Sequence, residues 1–203
     1  LMKNAGLWVL GAATVALFVG VTMRGIAAER VPWANMYEFA ISSTLVILMI
    51  YIMSLYLKEV HFIAPLVSGF SLLSLGVATS LFYVQVSSLM PALRSYWWVN
   101  HVIVAVLATS FFYIAAALHI TYLVRRASFA QGDSNGFQRV VSHFPKAETL
   151  DRFAYRFIIV GFVLWSFTLI AGAIWAERAW NRYWGWDTKE VWTFIIWVVY
   201  AGY

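Results

Sequence analysis

Hydrophobic residues fall into long runs along this chain, and short polar connections separate the runs. A helix needs about 20 apolar residues to cross the roughly 30 Å hydrocarbon layer of a membrane. The spacing therefore predicts an all-α, polytopic transmembrane helix bundle with about six spans. The predicted spans are Leu7–Met23, Tyr37–Leu57, Phe62–Leu81, Val99–Val124, Phe153–Trp175 and the segment from Val191 onward.

Composition supports a membrane protein independently of the pattern. The chain is 63% hydrophobic and 11% charged, whereas soluble domains carry about 25% charged residues. With no cysteine, it cannot form a disulfide, a thiolate ligand or a CxxC redox pair. The net charge of +5 is interpreted as loop charge facing membrane lipid, and nucleic acid is not an expected partner.

We interpret residues 1–203 as a single membrane domain. Only thirteen residues run from Val191 to Tyr203, which is too short to span a bilayer. The chain also begins with Leu rather than Met. We therefore expect the native protein to continue beyond Tyr203.

Basic residues predict the topology of the bundle. The connections on one side carry eight Lys and Arg residues and those on the other carry six. The positive-inside rule places the richer side, with the 125–156 loop, in the cytoplasm of an integral plasma (inner) membrane protein. Span parity then places the connections 24–36, 82–98 and 180–190 together on the extracytoplasmic side.

Aromatic residues are concentrated in the segment 180–192, which contains four tryptophans and one tyrosine. Tryptophan is enriched at membrane interfaces in general, but this density and the W-x-W-D order favour a flat platform for a planar amphiphilic ligand such as haem. Asp187 and Glu190 have the spacing of a capping box at the start of the last helix. We expect Asp187 to cap that helix and, in addition, to orient the tryptophans or hold a polar edge of the ligand.

The same segment resembles the tryptophan-rich WWD motif of haem-handling proteins in cytochrome c maturation. The Lys189-Glu190 pair after Asp187 resembles the CcsA/ResC family, the membrane subunit of the system II cytochrome c synthase. Asn181 stands where that family usually has Gly, and Thr188 stands where it usually has Pro. The first external connection, with Asn35 and Glu38 near Pro32, is also similar to the family.

Imidazole is a common axial ligand of haem iron, and the chain has four histidines. His101 follows Tyr96-Trp97 on the same predicted side as the tryptophan segment, in a pattern similar to the family's external histidine. The resemblance implies that His101 is an axial ligand of the iron. His119, eighteen residues later, is predicted on the same helix face about 27 Å deeper, bonded within the bundle. His61 and His143 are interpreted as solvated.

The resemblance implies a function in cytochrome c biogenesis. Haem b would rest on Trp180, Trp184, Trp186 and Asp187, and would be presented for thioether attachment to the CxxCH segment of apocytochrome c. A CcsB/ResB-type membrane subunit is the implied partner in a haem lyase complex, and no catalytic side chain is identified. The alternatives are a CcmC-like haem-delivery subunit and, from a different class, a transporter or structural membrane subunit.

The topology can be tested with single cysteines, because the native chain has none. A cysteine at Gly132 should be protected from a membrane-impermeant reagent in intact cells, and one at Asn181 should be labelled. Labelling of position 132 from outside would contradict the predicted orientation.

Overall fold

The computed structural model describes residues 2–130 and 136–203, and within them the chain is helical without β-strands. Short 3₁₀ turns occupy His61–Ile63 and Pro91–Leu93. The polar, glycine-containing loop predicted at 131–136 lies outside the described residues except for Gly136. The helices are α1 (Met2–Ala28), α2 (Met36–Leu57), α3 (Ala64–Leu81), α4 (Tyr96–Ala130), α5 (Gly136–Val141), α6 (Ala147–Trp180) and α7 (Thr188–Ala201).

Five helices are long and apolar enough to cross a membrane, which confirms the all-α polytopic bundle and five of its predicted spans. The apolar segments of α4 and α6 are 34 residues each, or about 51 Å at 1.5 Å per residue. They exceed the hydrocarbon thickness, so these helices tilt or extend into the headgroup region. The spans are Ala5–Ala28, Met36–Leu57, His61–Leu81, Tyr96–Phe129 and Ala147–Trp180.

The sixth predicted segment forms α7, a helix of 14 residues. It packs along α6 through indole hydrogen bonds: Trp165 Nε1 donates to the Thr193 carbonyl at 3.1 Å, and Trp197 Nε1 donates to Ser166 Oγ at 2.9 Å. These bonds satisfy ring N–H groups that lipid could not satisfy. They fix α7 against the bundle along its length.

Helices α4 and α6 form the most extensive pair in the fold. Small residues on α6 allow this close approach, as is usual for helices packed in membranes. A Cβ atom at Gly161 would lie 2.8 Å from the Phe112 ring, and one at Gly172 would lie 2.9 Å from the His101 ring. Both glycines are therefore required by side chains of α4.

Two apolar clusters fill the bundle at different heights. One contains Tyr51, Ile63, Ile114 and Leu118, and joins α2, α4 and the turn before α3. The other surrounds Trp98 and Trp175 near the 29–35 and 82–95 connections, from which Trp33 and Leu89 pack against it. The second cluster therefore ties those connections to the α4–α6 pair.

A buried carboxylate joins the C-terminal end of α1 to the N-terminal end of α2. Glu38 has no exposed surface. It forms ion pairs with Arg24 at 3.1 Å and with Arg30 at 2.7 Å, and it accepts the amide of Ala34 at 2.9 Å. Asn35 caps α2 by accepting the Glu38 amide, so the residues predicted to start this helix do so.

The two arginines extend this cluster to the next connection. Arg24 Nη2 donates to the Val84 carbonyl at 2.7 Å, and Arg30 Nη2 donates to the Ser87 carbonyl at 3.4 Å. The connections after α1 and after α3 therefore lie side by side, as span parity predicted. Glu38 therefore has a structural role. It does not line the aromatic cavity around His101.

Removing the Glu38 carboxylate should strongly destabilise the end of the bundle where α1 meets α2. Glu38→Gln keeps the shape but leaves two arginines nearly buried without a counter-charge, and breaking such a pair typically costs about 3–5 kcal/mol. Thermal unfolding in detergent should show a large loss of stability. Glu148→Gln, which removes an exposed carboxylate, is the matched control and should be nearly silent; equal stability of both variants would contradict the assignment.

Candidate functional site

An aromatic cavity lies where the N-terminal ends of α4 and α7 meet the C-terminal end of α6. Its volume is about 130 Å³. His101 contributes from α4, Trp175 and Trp180 from α6, and Trp184 from the connection to α7. The remaining polar and small lining groups include Thr168, Gly172, Lys189 and Glu190.

The His101 ring is held on three sides. Nδ1 donates to the Thr168 carbonyl at 2.9 Å, the ring stacks on Trp175 with centroids 6.0 Å apart, and Gly172 leaves the space that the ring fills. A carbonyl can only accept, so the proton lies on Nδ1. In the neutral ring Nε2 is then unprotonated, and it has no hydrogen bond within the described residues.

The connection from α6 to α7 turns sharply because of its backbone conformation. Asn181 ends α6 with φ of 56° in the left-handed region, where helices usually place Gly and sometimes Asn. This explains why Asn can replace the family's Gly. Thr188 is the first residue of α7, the position that favours Pro. Both departures from the motif are therefore compatible with the same turn.

Asp187 and Glu190 form the predicted capping box. Asp187 Oδ1 accepts the Glu190 amide at 3.0 Å, and Glu190 Oε2 accepts the amides of Asp187 at 3.3 Å and Gly185 at 2.7 Å. Burial raises the pKa of Asp187, but the Glu190 amide and the Lys189 ammonium outweigh burial, so the pKa lies below its ordinary value. The cap thus fixes the backbone that carries Trp184.

The structure brings His101, Trp180 and Trp184 to one cavity. Trp186 does not line the cavity: its side chain is 71% exposed, and it touches Trp184 edge to face at 5.8 Å. Asp187 likewise lies beside the cavity as the cap. Trp184 Nε1 is buried without a hydrogen-bond partner in the described part of the chain.

Sequence reasoning missed several cavity residues on α6. Trp175, Thr168 and Gly172 hold the imidazole, and Lys189 lies over the Trp175 ring at 5.6 Å. A signal for the three α6 residues was present in the alternating spacing of four and three residues from Ala154 to Trp175, which marks one packed helix face. That face runs through Ala154, Ile158, Gly161, Trp165, Thr168, Gly172 and Trp175.

The other histidines lie away from the cavity. His119 shares the α6-facing side of α4 with His101, as predicted. Its Nε2 is 3.0 Å from the Tyr203 hydroxyl and 3.7 Å from Asp151 Oδ1, so it is bonded within the bundle. His143 is exposed, whereas His61 is half-buried in the turn before α3 rather than fully solvated.

Comparison with known proteins shows the family to which the chain belongs. Residues 33–203 match the family described as Cytochrome C assembly protein. The chain is 34% identical to a Cytochrome c biogenesis protein CcsA of Guillardia theta, over 98% of this chain and 70% of that protein. It is also 32% identical to a Cytochrome c biogenesis protein CcsA of Prochlorococcus marinus, over 96% of this chain and 69% of that protein.

Fold, site and comparisons together define a polytopic membrane protein of cytochrome c assembly. The chain belongs to the CcsA family. Its role is accordingly in cytochrome c biogenesis.

The capping role of Asp187 can be separated from its charge. Asp187→Asn should keep most of the stability, because Asn caps about as well as Asp, whereas Asp187→Ala should lose about 1 kcal/mol. Thermal unfolding of the detergent-solubilised variants measures both.

The pH dependence provides a second readout. The pKa of the Asp187 carboxyl is lower in the folded protein than in the unfolded chain. Its contribution to stability is therefore complete above the unfolded pKa of about 3.9, and it is lost as the pH falls through the lower pKa of the folded state. Any advantage of wild type over Asp187→Asn should shrink only in that acidic range. An Asn variant as unstable as the Ala variant would contradict a role in capping.

Proposed function

We propose that the aromatic cavity binds haem b as a substrate on the extracytoplasmic side, with His101 Nε2 as an axial ligand of the iron, and presents it for attachment to apocytochrome c. One observation carries this proposal: the Thr168 carbonyl holds His101 in the tautomer with Nε2 free. Metal-binding histidines commonly donate their other ring N–H to such an acceptor, which orients the ring and raises its basicity.

The cavity walls suit a porphyrin in two further respects. Trp180 and Trp184 offer apolar ring surface, and aromatic groups pack well against a flat π system. The unpartnered Trp184 N–H supplies a donor, and leaving such a buried group unsatisfied costs about 1–3 kcal/mol. A ligand oxygen in the cavity would remove that cost.

The size of the cavity favours presentation over storage. A porphyrin ring is larger than a space of about 130 Å³, so much of the macrocycle would extend past the exposed edge of Trp180. The vinyl groups would then remain accessible to an incoming polypeptide. Full enclosure would instead exclude the two cysteines of a CxxCH segment.

The covalent chemistry belongs to the haem and the thiols. Each thiol adds across one vinyl double bond: sulfur bonds to one vinyl carbon, and the proton ends on the other. The chain contributes by positioning, and holding reactants in attack geometry can lower a barrier by several kcal/mol. We assign no general acid or base, and we propose a CcsB/ResB-type subunit and apocytochrome c as partners.

His101→Ala tests the iron ligand. In the full-length protein with its partner, haem per protein and maturation of a reporter cytochrome c should both fall by about tenfold, the effect of losing one metal ligand or its support. Added imidazole should restore part of both. His143→Ala is the control and should behave as wild type; normal haem content in the His101 variant would contradict the proposal.

The tryptophans allow a matched comparison within the same experiment. Trp184→Leu should lower haem content more than Trp186→Leu, because Trp184 lines the cavity and Trp186 is mostly exposed. Both variants should still accumulate in the membrane. Unchanged haem content in the double variant would count against a tryptophan platform.

A further inference from the structure

A second concavity adjoins the aromatic cavity on the other side of Trp180. It is an open groove of about 690 Å³ between the turn before α4 and the end of α6. Met90, Pro91, Arg94 and Ser95 line one wall, and Arg178 and Trp180 line the other. Trp180 is shared by both concavities and is 48% exposed, so a large planar molecule could pass along it from one to the other.

The groove is positively charged without a counter-charge. Neither Arg94 nor Arg178 forms an ion pair with any carboxylate that the structure describes, and no carboxylate lines the groove. Three other cations at this end have a carboxylate partner: Arg24 and Arg30 share Glu38, and Lys189 Nζ lies 3.5 Å from Asp187 Oδ2. Two guanidinium groups therefore remain free for an external anion.

Arg178 is also held in place. Its guanidinium lies over the Trp97 ring, 5.8 Å from the centroid, a cation–π contact that limits its rotamers. Arg94 follows the Pro91–Leu93 turn, which fixes the backbone beside it. The groove thus offers two forked donors, of which Arg178 is restrained by Trp97 and Arg94 is exposed, and such donors bind carboxylates through paired hydrogen bonds.

We propose that this groove binds the two propionate carboxylates of haem, with Arg94 and Arg178 as their partners. The inference rests on the proposed function of the neighbouring cavity, and the size mismatch of that cavity supports it. In haem b the propionates are on two adjacent pyrroles and the vinyl groups are on the opposite two. Holding the propionates beyond Trp180 fixes the rotation of the ring and directs the vinyl edge away from the groove.

The test compares haem with its dimethyl ester, which has the same ring and iron but no carboxylates. In the full-length protein with its partner, Arg94→Gln/Arg178→Gln should weaken haem binding about tenfold or more, as expected for charge-assisted hydrogen bonds. Binding of the dimethyl ester should be the same in the variant and in wild type. Spectroscopic titration measures both affinities.

Arg182→Gln is the matched control. Arg182 is an exposed arginine at the same end, and its guanidinium lies against Gly185. Because Arg182 lines neither concavity, its loss should leave the affinities for haem and for the ester unchanged. His101→Ala should weaken the binding of both ligands equally. If His101→Ala changes neither the affinity for haem nor that for the ester, the proposed haem site is wrong. If His101→Ala weakens both but Arg94→Gln/Arg178→Gln leaves haem binding unchanged, only the propionate site is wrong.

Two further outcomes would overturn the propionate assignment. Equal weakening of haem and of the ester in Arg94→Gln/Arg178→Gln would mean that the arginines support the fold rather than the carboxylates. Unchanged haem affinity with weakened binding of apocytochrome would make the groove a polypeptide site.

Discussion

The close approach of α4 and α6 is the constraint on which the aromatic cavity depends. Gly161 and Gly172 lack the Cβ atoms that would collide with Phe112 and His101. Because the helices come this near, the His101 imidazole reaches the Thr168 carbonyl and lies flat on Trp175. The proposed iron ligand is therefore oriented by helix packing, and the connection from α6 to α7 contributes another wall of the cavity through Trp184.

The connections at this end form one unit with that pair. Glu38 and its two arginines hold the segments after α1 and α3 side by side, and Trp33 and Leu89 from those segments pack on the cluster of Trp98 and Trp175. A change in the ion cluster would thus reach the imidazole through packed aromatic groups. The polar and apolar parts of this end of the bundle support each other, although they lie on different helices.

Sequence patterns predicted the membrane spans, the capping box and the meeting of His101 with Trp180 and Trp184, because hydropathy, cap spacing and span parity are local or additive signals. They could not separate Trp184 from Trp186, since the left-handed backbone at Asn181 and at Trp186 itself, together with the cap at Asp187, sets the directions of the two rings. They also missed Trp175 and the lack of a carboxylate partner for the charged side chains of Arg94 and Arg178. Those features depend on which side chains of distant segments meet, and sequence spacing does not determine that.

The buried ion cluster also bears on how the chain enters the bilayer. Arg24 lies in the last turns of α1, and an arginine in a hydrophobic span is costly while it is unpaired. Its partner Glu38 emerges from the ribosome fourteen residues later, at the start of α2. The pairing therefore favours insertion of α1 and α2 together as a helical hairpin, and it makes α2 a determinant of the membrane orientation of α1.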